Sequence, residues 1–326
     1  MSQDTRGNTR TIVITGGNSG LGYGCAQALL GSDNGSWHVV IASRDADRAQ
    51  TAVDALAAGA AAGHTVEAMV LDLASLASVR SFVAELTERL ATGALPPLHA
   101  LVCNAGVQMG TTLAKTADGF EATFGVNHLG HFALVNGLLP VLRAPSRVVV
   151  VSSGTHDPAL KLGPPPAWND PQALAQGQLG PAAAKLNALM TGQARYCTSK
   201  LANVYFTYAL ARRLPAGVTA NAFDPGMMLG TALGRSLPAP LRFASERIFP
   251  RITWLLRRTI TDNINTAQES GRALAWVVTA PELAGATGKY FDLRQEKRTS
   301  EESYDAARAE QLWNDSLALT GVAATR

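Results

Sequence analysis

The 326-residue sequence has little of what several protein classes require. Its three cysteines, Cys25, Cys103 and Cys197, are too few and too scattered for a disulfide framework or a metal cluster. Each lies in an apolar run that suits a small buried thiol. No uninterrupted apolar run reaches about 18 residues, and the polar start MSQDTRGNTR lacks the apolar core of a signal peptide. We therefore expect a cytoplasmic protein without an integral membrane segment.

The charge balance argues against a nucleic-acid-binding protein. The 28 basic and 25 acidic residues leave a net charge of only +3, and no dense Lys/Arg tract is present, so we expect no nucleic-acid partner. With 47% hydrophobic residues, the chain can cover a sizeable core. No domain boundary or fixed-period repeat is visible, which predicts one catalytic domain over residues 1–326.

Strand-like and helix-like segments alternate along the chain. The runs TIVIT, WHVVIAS, TVEAMVLDL and LHALVCNAG are each followed by a helical pattern, and RVVVVSS, GVTANAFDPG and GKYFDL are three further apolar runs. This alternation predicts an α/β fold, a Rossmann-type doubly wound parallel sheet of about seven strands with helices on both faces.

Two segments interrupt the alternation. Residues 157–193 are rich in Pro, Gly and Ala and form a predicted insertion. Residues 232–262 form an amphipathic segment broken by Pro250, and we expect a helical flap over the site, with a membrane-surface or partner-binding patch as the alternative.

A glycine-rich turn, TGGNSGLG, follows the first strand and opens the first helix. Its glycines would let a phosphate approach the backbone amides at the helix N-terminus, although a flexible turn without a ligand would have the same composition. The predicted contacts in this turn are Gly16, Asn18, Ser19, Gly20, Leu21 and Gly22.

The ends of the next two strands bear on cofactor choice. Ser43 and Arg44 lie about 20 residues beyond the turn, where a carboxylate would bind a ribose and an arginine would bind a 2′-phosphate. This favours NADP(H) over NAD(H), unless Arg44 is only an exposed strand-end residue. Asp72, followed by Leu73, would meet the adenine edge or instead cap the helix that begins near Ser75.

Tyr196 and Lys200 are four residues apart in a helical stretch and so share one helix face. A nearby ammonium lowers the pKa of a phenol towards working pH, as a general acid or base requires, although such a pair can also be purely structural. Ser152 and Ser153 end the fifth strand, at the sheet edge where α/β proteins bind ligands. Either hydroxyl could hold a substrate oxygen.

Together these motifs resemble the short-chain dehydrogenase/reductases. The matching pieces occur in the family's order and are TGGNSGLG, Asn104–Ala105–Gly106, the asparagine of FGVNHLGHF, the serine of VVVVSSGTH, Tyr-x-x-x-Lys and Pro225–Gly226. The resemblance implies a catalytic tetrad of Asn127, Ser153, Tyr196 and Lys200, with Ser152 as the alternative serine.

The resemblance also implies roles around the cofactor. Asn104, Ala105 and Gly106 would line the adenosine side, Pro225 and Gly226 would meet the nicotinamide, and Lys200 would contact its ribose while Asn127 supports a water. A threonine soon after Pro-Gly commonly contacts the phosphates, and here Thr231 comes about one residue late.

Phrases such as ASRD, TADGFEATFGVNHLGHF and YCTSKLAN resemble the retinol dehydrogenase and light-dependent protochlorophyllide reductase branch, which uses NADP(H). Gly106 and Ala202 replace an alanine and a cysteine usual in the light-dependent enzyme. We therefore expect hydride transfer to or from a bulky apolar carbonyl or alcohol, in a cleft covered by the insertion and the flap. A photoreductase and a non-catalytic NADP(H) sensor are the alternatives, and monomer or oligomer are both compatible.

Several other residues suggest simpler roles. His128 and His131 are three apart without a third ligand, so we expect packing or surface histidines and no metal. Phe243, Phe249 and Trp254 could contact an apolar substrate or lie buried.

Overall fold

The computed structural model describes residues 9–228 and 264–323. Its strands are β1 (Thr9–Thr15), β2 (Ser36–Ser43), β3 (Thr65–Val70), β4 (Leu98–Cys103), β5 (Ser146–Val151), β6 (Val218–Asp224), β7 (Met227–Met228), β8 (Ile264–Asn265), β9 (Tyr290–Asp292) and β10 (Gln295–Lys297). The main sheet has the order β10-β9-β6-β5-β4-β1-β2-β3, and β7 pairs with β8 in a separate parallel ladder. The predicted α/β fold is confirmed.

The α-helices of the described ranges are α1 (Gly20–Leu30), α2 (Ala46–Ala58), α3 (Leu76–Ala91), α4 (Ala122–Phe124), α5 (Gly130–Leu138), α6 (Pro171–Ala175), α7 (Ala188–Ala211), α8 (Ala267–Thr279) and α9 (Ala306–Thr320). A π-helical turn, Gly125–Leu129, joins α4 to α5. Short 3-10 turns lie at Leu139–Val141, Gly154–His156, Pro158–Leu160, Pro181–Ala183, Pro281–Leu283 and Glu301–Tyr304.

Helices cover the two faces of the main sheet with separate apolar cores. On one face, α1, α2 and α8 pack on alternate strand residues such as Ile12 and Ile14. On the other face, α3, α5 and α7 cover residues such as Val13, and α9 adds Leu312 and Trp313 outside them. Because both faces are buried, the central strands are nearly continuous runs of apolar residues.

Helices α1 and α8 meet backbone to backbone. A Cβ added at Gly271 would lie 2.6 Å from the Cys25 nitrogen, and Gly24 packs equally closely against the Ala267 carbonyl. Only glycine permits this approach. The contact fixes α1, and with it the turn that precedes it.

The sheet has one strand more than the seven predicted. Strand β10 pairs antiparallel with β9 at the sheet edge, and its residues Gln295, Glu296 and Lys297 are all exposed. A polar edge strand carries no apolar pattern in its sequence. The other seven strands of this sheet run parallel and coincide with the predicted ones.

The predicted insertion at 157–193 overlaps the start of α7 and otherwise contains α6 and two 3-10 turns. It packs mainly on α7 and α9. The Ala167 amide donates to the Thr198 hydroxyl at 2.9 Å, and the Trp168 ring contacts the Tyr205 ring edge-on. The start of this segment approaches the end of β5, where the Leu160 and Leu162 side chains lie near Gly154, and the expected cover over the cleft stays a prediction. The predicted flap at 232–262, with its three aromatic residues, lies outside the described residues.

Within the described ranges, no helix combines the length and the apolar character needed to cross a bilayer.

Candidate active site

A cleft of about 440 Å³ opens where β1 and β4 end side by side. The chain leaves these two strands towards opposite sides of the sheet, which is the usual ligand position in doubly wound folds. The residues that line the cleft come from every motif noted in the sequence and are Thr15, Gly16, Asn18, Ser19, Gly20, Leu21, Ala42, Ser43, Arg44, Asp45, Arg48, Leu71, Asp72, Leu73, Asn104, Ala105, Gly106, Val107, Gln108, Met109, Val126, Val151, Ser152, Tyr196, Lys200, Pro225 and Met228.

The glycine-rich turn has the conformation that its sequence suggests. Gly16 and Gly20 adopt φ values of +64° and +57°, which side chains with a Cβ rarely adopt. Ser19 begins α1, yet its side chain makes no capping hydrogen bond to the described helix, so both hydroxyl and amides are available at the cleft. Gly22 lies behind the turn, where an added Cβ would be 2.7 Å from the Asn104 side chain, and so its role is close packing.

Two arginines lie at the far end of the cleft. Arg44 follows β2 and Arg48 lies in the first turn of α2, and both side chains are exposed and line the cleft. Neither pairs with a carboxylate among residues 9–228 and 264–323. Asp45, between them, caps α2 by accepting from the Arg48 amide at 3.0 Å.

The structure separates the two alternatives for Asp72. Ser75 caps α3, since its hydroxyl accepts from the Ser78 amide. Asp72 instead lines the cleft and accepts from the Ala74 amide at 2.9 Å through one carboxylate oxygen. It therefore faces the ligand space and is not the helix cap.

The Asn104–Ala105–Gly106 loop is held by Thr15 at the end of β1. The Thr15 hydroxyl accepts from the amides of Asn104 and Ala105, each at 2.9 Å, and contacts the His131 Nε2 at 2.9 Å. The Asn104 side chain donates to the Thr15 carbonyl at 2.7 Å. These bonds join the two strands at the deepest part of the cleft.

Tyr196 and Lys200 meet at the same cleft, and Ser153 lies beside Tyr196. The Lys200 Nζ lies 5.4 Å from the centroid of the Tyr196 ring, and it donates to the Val151 carbonyl at 3.1 Å. The Ser153 hydroxyl accepts from the Thr155 amide at 3.3 Å and lies where it lowers the pKa of the Tyr196 phenol. The Ser152 hydroxyl points the other way and donates to the Lys200 carbonyl at 2.9 Å. Of the two serines, Ser153 is therefore the one beside the phenol.

Burial changes the proton affinity of this pair. It raises the pKa of Tyr196 above its ordinary value, with smaller contributions in the same direction from Cys197 and Asp224, while the Ser153 hydrogen bond lowers it. The direction is opposite to the lowering by Lys200 that the sequence predicted, because burial dominates. Burial lowers the pKa of Lys200 to about 8, opposed by the Asp224 carboxylate.

Asn127 lies in the π-helical turn and joins three segments. Its side chain pairs with both backbone groups of Val107, at 2.8 and 3.0 Å, and donates to the Ser199 hydroxyl on α7 at 2.9 Å. Its carbonyl accepts from His131 Nδ1 at 3.1 Å. A Cβ on Gly106 would lie 3.3 Å from the Asn127 amide oxygen and 3.7 Å from the Lys200 Nζ, which places both side chains at the same loop.

Pro225 lines the cleft, and Gly226 completes its turn with φ of +70°. The preceding residue, Asp224, is buried and accepts from the Gly226 amide at 2.9 Å and from the Tyr290 hydroxyl at 3.0 Å. Burial raises the pKa of Asp224 to about 6, opposed by its hydrogen bonds from Gly226, Tyr290 and Gly154. Thr231 lies outside the described residues.

Sequence reasoning missed Thr15, which holds the Asn104–Ala105–Gly106 loop, and Asp224, which precedes the Pro225–Gly226 turn. Nothing in their local sequence distinguishes them, because Thr15 bonds residues about 90 positions away and Asp224 bonds Tyr290. His128 and His131 are buried, as the packing alternative requires, and burial lowers their pKa values to about 3 and 4. In the described ranges, no three His, Cys, Asp or Glu side chains cluster as metal ligands would.

Comparison with known proteins agrees with this geometry. Residues 10–162 match the short chain dehydrogenase family, and residues 233–326 match the AcuH dehydrogenase domain. Human retinol dehydrogenase 13 is 35% identical over 318 residues, which cover 97% of this chain and 86% of that protein. The chain belongs to the short-chain dehydrogenases. It is therefore an oxidoreductase of this family, as the sequence motifs predicted.

Two other similarities define the branch and the fold. Rice (Oryza sativa subsp. japonica) protochlorophyllide reductase A is 37% identical over 331 residues, which cover 95% of this short-chain dehydrogenase and 80% of that protein. A short chain dehydrogenase from Burkholderia cenocepacia J2315, solved in complex with NADP, has a TM-score of 0.59 at 24% identity and covers 87% of this chain and 95% of its own. The similarity to that structure concerns the fold alone.

Proposed function

We propose that this protein is an NADP(H)-dependent oxidoreductase that transfers hydride between the nicotinamide and a carbonyl or alcohol carbon of a bulky apolar substrate. The observation that carries this proposal is that the Lys200 Nζ lies 5.4 Å from the centroid of the Tyr196 ring, in the cleft that also contains the glycine-rich turn, with Ser153 acting on the phenol. A hydroxyl pair next to a buried amine suits proton transfer to a carbonyl oxygen.

The cleft residues suit the pyrophosphate and the 2′-phosphate of NADP(H). The turn at Gly16 and Gly20 leaves the first amides of α1 and the Ser19 hydroxyl available to a pyrophosphate. The exposed guanidinium groups of Arg44 and Arg48 suit a 2′-phosphate, since arginine binds phosphate through paired hydrogen bonds. When bound, NADPH supplies the hydride.

The remaining chemistry belongs to the side chains. Because the pKa of Tyr196 is raised, its phenol is protonated near neutral pH and is in the acid form that carbonyl reduction needs. In this proposal Tyr196 donates its proton to the substrate oxygen while Ser153 donates a hydrogen bond to the same oxygen. The Lys200 ammonium, anchored on the Val151 carbonyl, stabilises the phenolate left after proton transfer.

Replacing Tyr196 with Phe tests the assignment. We expect turnover of NADPH with an apolar aldehyde, either decanal or all-trans-retinal, to fall by at least about a hundredfold, because general acid catalysis contributes about 10²–10⁴. The NADPH dissociation constant, measured by fluorescence titration, should stay within about threefold. Tyr208→Phe removes a phenol from the same helix outside the cleft and serves as the matched control. A Tyr196→Phe enzyme with full turnover would refute the proposed acid.

A photoreductase is the second candidate, favoured by the similarity to the rice reductase. Ala202 on α7 is fully buried and offers no thiol at the position where the light-dependent reductases usually have cysteine. Hydride transfer without light therefore has the stronger support.

A further inference from the structure

The turn that carries Ser153 is held in place by buried polar groups that lie behind it. The last ladder bond between β5 and β6 runs from the Ser152 amide to the Phe223 carbonyl at 2.7 Å. Beyond that bond the two strands diverge, β5 into the Ser153–Gly154 turn and β6 into the Pro225–Gly226 turn. Some other contact must therefore fix the two turns relative to each other.

Asp224 lies at this point of divergence and is only 5% exposed. Its carboxylate accepts hydrogen bonds from the Gly226 amide at 2.9 Å and from the Tyr290 hydroxyl at 3.0 Å, and its Oδ2 packs against Gly154 of the serine turn. One side chain thus connects both turns to the neighbouring strand β9. A Cβ on Gly154 would lie 3.1 Å from the carboxylate oxygen Oδ2, which shows how closely the serine turn packs on it.

His156 completes the support from the other side. Its Nδ1 donates to the Ser153 carbonyl at 2.7 Å, and its Nε2 accepts from the Ser300 amide at 3.3 Å. Its ring lies 5.0 Å from the Tyr290 ring, centroid to centroid. Asp224 and His156 thus contact the backbone of the turn, while the Ser153 hydroxyl accepts from the Thr155 amide at 3.3 Å and acts on the Tyr196 phenol.

We propose that Asp224 is a positioning residue, whose carboxylate holds the Ser153–Gly154 turn against the Pro225–Gly226 turn and so keeps the Ser153 hydroxyl at Tyr196. This inference rests on the proposed function for its effect on turnover. It differs from the roles assigned above because Asp224 touches neither substrate nor cofactor and acts through Ser153.

A double-mutant cycle separates positioning from general stabilisation. Asp224→Asn keeps the shape of the side chain but replaces one carboxylate oxygen, which accepts a hydrogen bond, with an NH2 group, which can only donate one. With NADPH and the better of the two aldehydes, we expect kcat to fall by about tenfold to a hundredfold, since small displacements of reacting groups cost that much. KM should stay within about threefold. In a Ser153→Ala background the same substitution should lower kcat by less than about threefold, because the group that it positions is already absent.

Glu296→Gln is the matched control. Glu296 is exposed on β10 at the same sheet edge and forms an ion pair with Lys289, so its loss removes a carboxylate from that edge away from Asp224. We expect its kcat to match that of the wild type. Equal losses in Asp224→Asn and Glu296→Gln, or losses that multiply in the Ser153→Ala background, would overturn the positioning role.

Amide hydrogen exchange provides a measurement that does not need turnover. Asp224→Asn should accelerate exchange of the His156 and Asp157 amides, which donate to the Ser153 and Gly154 carbonyls of the turn, by about tenfold or more while the β5 amides keep their protection. Unchanged exchange of these two amides would also overturn the inference. If Asp224→Asn does not fold, Tyr290→Phe keeps the carboxylate, removes one of its donors and should show a smaller loss that again disappears with Ser153→Ala. A wild-type protein without turnover would instead contradict the proposed function and leave the exchange result to decide about Asp224.

Discussion

Arg44→Ala should weaken NADPH binding selectively. The Arg44 side chain is exposed at the end of the cleft, beyond β2, and no described carboxylate neutralises it. A hydrogen bond to a charged group contributes about 1.5–3 kcal/mol, and exposure to solvent favours the lower end of that range. A loss of about 1.4 kcal/mol is tenfold in a dissociation constant, so we expect NADPH binding to weaken by about tenfold. NADH lacks the 2′-phosphate, and its binding should change by less than about twofold.

The assay is a fluorescence titration of both cofactors at two salt concentrations. The advantage of NADPH over NADH should shrink as salt rises, because exposed charges are screened within about 8–10 Å at physiological ionic strength. Arg80→Ala, an exposed arginine on α3 outside the cleft, is the control for net charge. Equal weakening of both cofactors by Arg44→Ala, or equal effects of Arg44→Ala and Arg80→Ala on NADPH, would refute the 2′-phosphate assignment.

Three further predictions concern packing, pH and light. Gly271→Ala should lower the free energy of unfolding by about 1–3 kcal/mol, since its Cβ would meet the α1 backbone, whereas Gly285→Ala, with open space around it, should be neutral in urea unfolding. The raised pKa of Asp224 means that the folded protein keeps a proton that the unfolded chain has lost, so its contribution to stability should fall by about 3 kcal/mol in total as pH rises from about 3 to about 7. Asp224→Asn should remove that decline, and a decline of the same size in the variant would assign it to other groups. Illumination with protochlorophyllide and NADPH should give no light-dependent product, and its appearance would favour the photoreductase.

The extent to which the fold could be predicted follows from burial. The parallel strands have helices on both faces, so their apolar runs and the helical spacing between them were sufficient to predict seven strands. Strand β10 is exposed and polar and pairs only at the edge, so its sequence resembles a loop. The insertion was recognised by composition, but composition cannot tell which side of α7 it packs against.

Local pattern also explains what could be predicted of the site. The glycine-rich turn and the Tyr196/Lys200 pair are short motifs whose residues are neighbours in the chain. Asp224 and Gly154 are 70 residues apart and meet only because β5 and β6 are adjacent in the sheet. A contact of this kind has no sequence signature, so supporting residues are found only once the topology is known.

The sequence predicts a catalytic serine at Ser152 or Ser153, and only the structure distinguishes the two. Successive residues of an extended strand point to opposite sides, so the hydroxyls of Ser152 and Ser153 point in different directions and only one of them can lie at the phenol. Sequence specifies the pair but not the register, because a shift of one residue exchanges their roles. The bond from the Ser152 hydroxyl to the Lys200 carbonyl resolves this, since a hydroxyl donating to the buried side of α7 cannot also serve a substrate oxygen. Ser153→Ala should therefore reduce turnover by about tenfold or more, and Ser152→Ala should mainly lower stability. A larger loss of turnover in Ser152→Ala, at unchanged NADPH affinity, would reverse the assignment.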